Sequence, residues 1–272
     1  MLPIQSRQAH SAAPGAGCQG CLSGVELPFE FIHAYQPIVD LADRSIFAQE
    51  ALIRGPRGEP ASSVLARVND ENRYQFDQSS RVSAINRAAR LGLRSRLSIN
   101  FLPNAVYRPE VCIRSTLQAA RACGFPVSDL IFEATEGERI ADGQWLAAVF
   151  REYKRTGFLT AIDDFGAGYA GLALLADFQP DIVKLDMALV RNIDIDIVRQ
   201  TMVRHIVRMC SDLGVRVVAE GIESEGERDF LYDTGIRLMQ GYYFALPSLG
   251  SLVDPLVKGW IEAPERVRNA SE

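Results

Sequence analysis

The sequence predicts an α/β fold, a modified TIM-type (β/α)8 barrel with one antiparallel strand. Three observations predict it. From residue 97 onward, short apolar runs alternate with segments of helical periodicity joined by short connections, the pattern of a parallel sheet wound by right-handed crossovers. Two β-patterned runs precede that alternation and bring the count to about eight strands, which favours a closed barrel over an open sheet. Those two runs are joined by the turn Asp40 to Arg44 as a hairpin, so the first strand cannot run parallel to its neighbour.

In order, the first two strands are Phe31 to Val39 and Ser45 to Arg54. After the turn GPRGEP, helical character runs from Ala61 through Leu93, as two helices broken near Asp70 to Asn72. Arg87, Arg90 and Arg94 read there as a solvated face. Leu97 to Asn100 is the third strand and Val111 to Cys123 its helix. Asp129 to Ala134 and the helix Asp142 to Arg155 follow. Leu159 to Asp163 is a strand closing on a Gly-rich turn, with a short helix over Ala170 to Ala176. Ile182 to Asp186 precedes a long helix over Ile195 to Leu213, and Val215 to Ala219 precedes a helix over Glu225 to Thr234. Leu238 to Gln240 closes the series, with a terminal helix expected over residues 249–260.

The 272 residues, 47% hydrophobic, suffice for a substantial core. Residues 1–27, rich in Gly, Ala, Ser and Pro, read as a flexible leader, 28–262 as the barrel and 263–272 as a polar tail. The leader carries Cys18 and Cys21 as a C-x-x-C pair, which reads as an ordinary exposed tail or as a metal or redox site completed by another chain or domain. Cys112, Cys123 and Cys210 read as small buried hydrophobes. A net charge of −5 without broad basic runs argues against a nucleic-acid-coating or membrane-surface protein. Neither a bilayer-spanning run nor a secretion signal is recognisable, so the expected location is cytoplasmic.

The stretch LTAIDDFGAGY at 159–169 ends an apolar run on adjacent carboxylates, Asp163 and Asp164. Neighbouring side chains on a strand point to opposite faces, so these two can meet one ligand only where the pleat breaks. Further polar residues fall at the ends of the other strands, which is where a barrel of this type carries its active site. The second strand carries Glu50 among apolar residues of one face, an expensive place for a carboxylate without a metal or a partner. The third ends in Asn100, the fourth in Glu133, the sixth in Lys184 and Asp186, the seventh in Glu220 and the eighth in Gln240. One acidic residue after a strand is ordinarily a helix N-cap, but six strands in succession fit that explanation poorly.

Converging carboxylates repel unless cations neutralise them, so the array predicts bound divalent metal. Carboxylate and amide donors, with His10, His33 and His205 elsewhere, suit magnesium or manganese better than zinc. Asp163 and Asp164 together suggest two ions, with Asp163 as the bridge. Lys184 points inward with Asp186 and is read either as orienting a water or phosphate oxygen or as a structural ion pair. Arg54, about 13 Å along the second strand from Glu50, is placed to grip a phosphate.

These residues resemble the signature of EAL-domain proteins, the phosphodiesterases that open cyclic di-GMP. The motifs, in the family's order, are YQPIV (35–39), QEALIR (49–54), SIN (98–100), FEATE (132–136), DDFGAGY (163–169), VKLD (183–186), AEGIE (219–223) and QGYYFALP (240–247). The resemblance implies a two-metal site of magnesium or manganese formed by Glu50, Asn100, Glu133, Asp163, Asp164, Asp186 and Glu220. It implies catalytic roles for Glu50, Lys184 and Glu220, with Lys184 contacting the attacking water and Gln240 supporting a water at the metals. Gln36 and Arg54 would hold substrate, and Glu136 would anchor a mobile loop that links metal binding to dimer contacts. The implied activity is hydrolysis of cyclic di-GMP to linear pGpG, and the implied partners are a homodimer copy and a regulatory protein. The alternative within the resemblance is a catalytically silent module that binds cyclic di-GMP or a protein and signals through its dimer surface. The chain departs from the family's common pattern at Gly55, Ala170 and Gly171, none of them a ligand position.

Overall fold

The computed structural model describes residues 27–135, 143–168 and 171–254. Eight strands close into a barrel in sequence order: β1 Ile32–Asp40, β2 Ser45–Arg54, β3 Arg96–Asn100, β4 Leu130–Thr135, β5 Leu159–Phe165, β6 Ile182–Leu185, β7 Arg216–Ala219 and β8 Leu238–Met239. β1 is antiparallel to both its neighbours, β2 and β8, and the remaining pairs are parallel. The reason is local, because the four-residue turn after β1 returns the chain beside it before any crossover helix intervenes.

The described helices are α1 Ala61–Leu65, α2 Arg73–Arg90, α3 Pro109–Cys112, α4 Arg114–Cys123, α5 Gly143–Thr156, α6 Gly171–Asp177, α7 Met187–Val190, α8 Ile197–Asp212 and α9 Glu225–Asp233. The helix expected over 111–123 instead starts at Pro109, whose missing N–H costs nothing in a first turn, and is interrupted at Ile113. The helix expected from Ile195 begins at Ile197, because the Asp196 side chain accepts the N–H groups of Val198 and Arg199 and sets the N-cap there. α7 is an element that hydrophobic periodicity did not reveal. Described residues 249–254 carry no helix, and the rest of the expected terminal helix lies outside the described residues, as do the Cys18–Cys21 pair and the polar tail. Arg87 does not belong to a solvated face, since its guanidinium donates to the Leu249 carbonyl.

Apart from a small cluster of Phe29, Val64 and Phe76, the buried apolar residues fill two compartments. The larger lies between barrel and helices and includes Phe101, Phe132, Phe150, Tyr153 and Phe158, with the Phe132 and Phe158 rings edge-to-face at 4.9 Å. Each such side chain contributes about 1.5–3 kcal/mol on burial. The smaller cluster includes Ile38, Ala48, Ile131, Ala161, Ile182, Val218 and Leu238. These residues plug the lower barrel. By the two-residue period of a strand, the next inward positions are Gln36, Glu50, Glu133, Asp163, Lys184, Glu220 and Gln240, so a polar layer rests directly on an apolar floor. Cys112 and Cys210 are fully buried free thiols and Cys123 is half-buried.

Candidate active site

Lys184 is the centre of the polar layer. Its Nζ lies 2.8 Å from Glu220 Oε1, 3.0 Å from Glu133 Oε2, 3.0 Å from Asp163 Oδ1 and 3.5 Å from Glu50 Oε1. Four strands converge on one ammonium that is 1% exposed. The Ser98 hydroxyl donates to Glu133 Oε1. Asn100 Nδ2 donates to Glu50 Oε1 at 3.1 Å, and Gln240 Nε2 donates to Glu50 Oε2 at 2.9 Å and to Gln36 Oε1 at 3.3 Å. Gln36 in turn donates to the Ala245 carbonyl at 3.0 Å. Both oxygens of Glu50 are thereby fixed by amides from β3 and the end of β8.

Asp163 and Asp164 reach one cavity by a break in the pleat, although β5 runs on to Phe165 rather than ending at Asp163. Asp164 takes a left-handed conformation, φ +54°, and the pairing with β6 shifts register between Ile162 and Phe165. The Asp164 N–H also donates to Asp163 Oδ1 at 3.0 Å. Gly166 follows at φ +98°, where an added Cβ would lie 2.4 Å from Leu189 Cδ1, so only glycine lets this turn close on α7.

β6 ends at Leu185, and Asp186 is the N-cap of α7, accepting Ala188 N–H at 2.8 Å while its side chain still lines the cavity. The cavity has a volume of about 440 Å³ and is lined by Gln36, Glu50, Asn100, Asp163, Asp164, Asp186, Glu220 and Gln240 among others. Leu52, Met187, Glu223 and Tyr242 line it too and were not singled out from sequence. Glu223 and Tyr242 stand inside the AEGIE and QGYYFALP motifs, which was the available signal. Ser98, missed as well, stands two residues before Asn100 on the same face. Arg54 is not brought to this cavity: it ends β2, and its guanidinium donates to the Ile53 carbonyl at 2.7 Å. Glu136 lies outside the described residues.

A clasp holds the segments carrying Asp186 and Glu220 together. The Glu227 carboxylate accepts Asn192 N–H at 2.9 Å from the α7–α8 loop, and Glu223 and Ser224 N–H at 2.9 and 3.1 Å from the loop after β7. Ser224 completes a capping box with Glu227 at the start of α9, a device worth about 1 kcal/mol.

Electrostatically the layer is strained toward protonation. Burial, followed by Glu50 and Asp163, pushes the Glu133 carboxyl up to about 8 despite the attraction of Lys184. Burial raises Glu220 well above the carboxylate range, and Asp163 and Glu50 add to it. Burial, Asp163 and Asp186 raise Asp164 to about 6. Burial alone would lower Lys184, but Asp163, Glu133, Glu220 and Glu50 hold its ammonium well above the ordinary lysine value. A buried excess of carboxylate of this kind fits added positive charge. Two overlapping trios, Glu50–Glu133–Asp163 and Asp163–Asp164–Glu220, each bring carboxylate oxygens within 4.8 Å of one another. The oxygen-only donor set fits a hard divalent cation.

The model of the EAL domain family matches residues 29–247. Among curated proteins, the chain is 32% identical over 220 residues to the blue light- and temperature-regulated antirepressor BluF of Escherichia coli, covering 80% of this chain and 55% of that protein. It is 33% identical over 156 residues to the cyclic di-GMP phosphodiesterase PdeR of Escherichia coli, covering 57% of this chain and 23% of that protein. The chain thus spans about half, or less, of the length of these relatives. Among solved structures it matches a standalone versatile EAL protein from Vibrio cholerae O395 in its c-di-GMP bound form, with TM-score 0.84 and 52% identity, covering 86% of this chain and 99% of that chain. It matches the manganese/cyclic di-GMP complex of Klebsiella pneumoniae BlrP1 with TM-score 0.76 and 39% identity, covering 83% and 58%.

Proposed function

The chain belongs to the EAL domain family, and on that premise we propose that it hydrolyses cyclic di-GMP to linear pGpG. The observation that carries the reading is the convergence of Glu50, Glu133, Asp163 and Glu220 on Lys184 below the cavity at the C-terminal strand ends. Glu50, Asn100, Glu133, Asp163, Asp164, Asp186 and Glu220 would hold two magnesium or manganese ions. Bound there, the ions supply Lewis acidity toward a phosphoryl oxygen and lower the pKa of a water.

The chain's own residues do the rest. Lys184, fixed by four carboxylates, presents an ammonium to the attacking water or to a phosphate oxygen. Gln240 and Asn100 hold both Glu50 oxygens in one orientation, as partners of a metal ligand must. Gln36 and Arg54 would contact the substrate, Arg54 by turning from the Ile53 carbonyl, and Glu136 would support the loop after β5. In the reaction one water oxygen bonds to phosphorus and one ring P–O bond breaks. The departing sugar oxygen takes up a proton and the new terminal phosphate stays on the linear product.

A second reading rests on BluF, whose name describes an antirepressor rather than an enzyme: a silent module that binds cyclic di-GMP or a protein partner. Exposed Met187, Ile195, Ile197, Val198 and Met202 offer an apolar surface beside the site, and we assign it to a homodimer contact, testable by sedimentation of the Ile197→Glu variant. Among the described residues no helix is long and apolar enough to cross a membrane, and a cytoplasmic location is part of this proposal. The deciding experiment incubates the purified chain with cyclic di-GMP, with and without magnesium, and follows pGpG by chromatography. Metal-dependent product, lost in Glu50→Ala and Asp163→Asn, is expected; binding without product would leave the silent module.

A further inference from the structure

A second cavity lies at the other end of the barrel. It has a volume of about 920 Å³ and lies where β7 and β8 begin, between α8 and the end of α9, with Phe47 of β2 in its wall. Its charged lining is Arg204, Arg208, Arg216 and Arg237 against Asp40 and Asp233, a positive surface on a chain of net charge −5. The apolar lining includes Phe47, Val207, Val215, Phe230 and Ile236.

The arginines are unevenly satisfied. Arg96 and Arg216 both lie over the Phe47 ring, at 4.7 and 4.9 Å from its centroid, so two like charges share one aromatic surface. Arg204 lies over Phe230 at 5.0 Å. Among the described residues no carboxylate forms an ion pair with Arg96, Arg204 or Arg216, and the buried Nε of Arg96 has no hydrogen-bond partner. Two of the nearby carboxylates are already engaged. Asp40 caps the N–H groups of Ala42 and Asp43, and Asp181 accepts from Thr160 and pairs with Lys154. Burial and Arg96 both depress the Arg216 guanidinium from its usual value, with Asp181 and Asp40 opposing them.

We propose that this basal cavity is a second ligand site, for a small phosphorylated ligand that carries a flat ring, of the nucleoside phosphate class. Guanidinium forks bind phosphate oxygens bidentately, and the guanidinium planes of Arg204 and Arg216, already backed by the Phe230 and Phe47 rings, offer their outer faces to a planar base. The volume is within the range of small-molecule sites. The chain's own termini are poor occupants, since Arg7 offsets Glu26 in residues 1–26, and Lys258, Arg266 and Arg268 offset Glu262, Glu265 and Glu272 in residues 255–272. The site stands apart from the proposed activity, because the apolar plug of Ala48, Ile182, Val218 and Leu238 separates it from the carboxylate layer.

The test titrates the full chain, in chelator and without divalent metal, with adenosine 5′-monophosphate and separately with inorganic phosphate. The nucleotide is a probe that is not a fragment of the proposed substrate, and calorimetry reads the binding. Saturable binding of the nucleotide at one per chain is expected, weakened at least about tenfold by Arg204→Glu and by Arg216→Glu, with folding checked by circular dichroism, and unchanged by Glu50→Ala. No saturable binding, or binding lost in Glu50→Ala but kept in both arginine variants, would overturn the proposal. Phosphate binding as tightly as the nucleotide would overturn the flat-ring assignment.

Discussion

Lys184 Nζ stands 2.8 Å from Glu220 Oε1, the shortest of its four carboxylate contacts, and joins the end of β6 to the end of β7. With the ammonium removed, four converging carboxylates would face one another in a buried layer. Leaving one partner of a buried ion pair alone costs about 3–5 kcal/mol. Lys184→Met should therefore lower the melting temperature of the metal-free chain strongly, and added manganese should recover part of the loss. Turnover should be abolished in either state. A variant as stable as the parent without metal would mean that the lysine does not balance the layer.

Gln240 is expected to act through Glu50. Its amide bonds both Glu50 Oε2 and Gln36 Oε1, so Gln240→Ala frees one oxygen of Glu50 while leaving the other on Asn100. Loss of such an orienting partner typically costs about 10–100-fold in metal affinity or activity. Steady-state kinetics at several manganese concentrations should show the loss mainly as weakened metal dependence. An unchanged manganese response would contradict this role.

The pH dependence of the metal-free protein has a defined sign. Glu133 rises from 4.5 to about 8 and Asp164 from 3.8 to about 6, both chiefly through burial. The folded chain therefore binds more protons than the unfolded chain between the unfolded values and these folded ones, so stability should fall as pH rises through that window. Metal binding must displace those protons, so manganese affinity should rise over the same window. Thermal melts and manganese titrations at about pH 5, 6.5 and 8 check both slopes. Metal-free stability that increased toward pH 8 would contradict the assignment.

Much of this was legible in the sequence because each strand ends on a residue type that an apolar run does not explain. The order of the strands and the antiparallel first strand follow from segment alternation and from one short hairpin. What escaped depends on three-dimensional closure. That Lys184 meets Glu50, Glu133, Asp163 and Glu220 depends on the stagger of strands around the barrel, which a two-residue period does not give. Asp186 at a strand end proved to be an N-cap as well as a cavity residue, since the four-residue α7 is too short to leave a periodic signal. The pleat break at Asp164 is a left-handed residue inside a strand, a conformation Asp tolerates but does not announce. Arg54 sat correctly at the strand end, yet its guanidinium turns to the local backbone, where sequence spacing says nothing of rotamer.

Two divalent ions around Asp163 are the centre of the proposed function. Calorimetric titration of manganese into the metal-stripped chain tests it most directly. Two ions per chain in the parent, with both sites weakened in Asp163→Asn because that residue belongs to both carboxylate trios, is the predicted result. A parent that binds no manganese, or an Asp163→Asn variant that binds it as the parent does, would contradict the account.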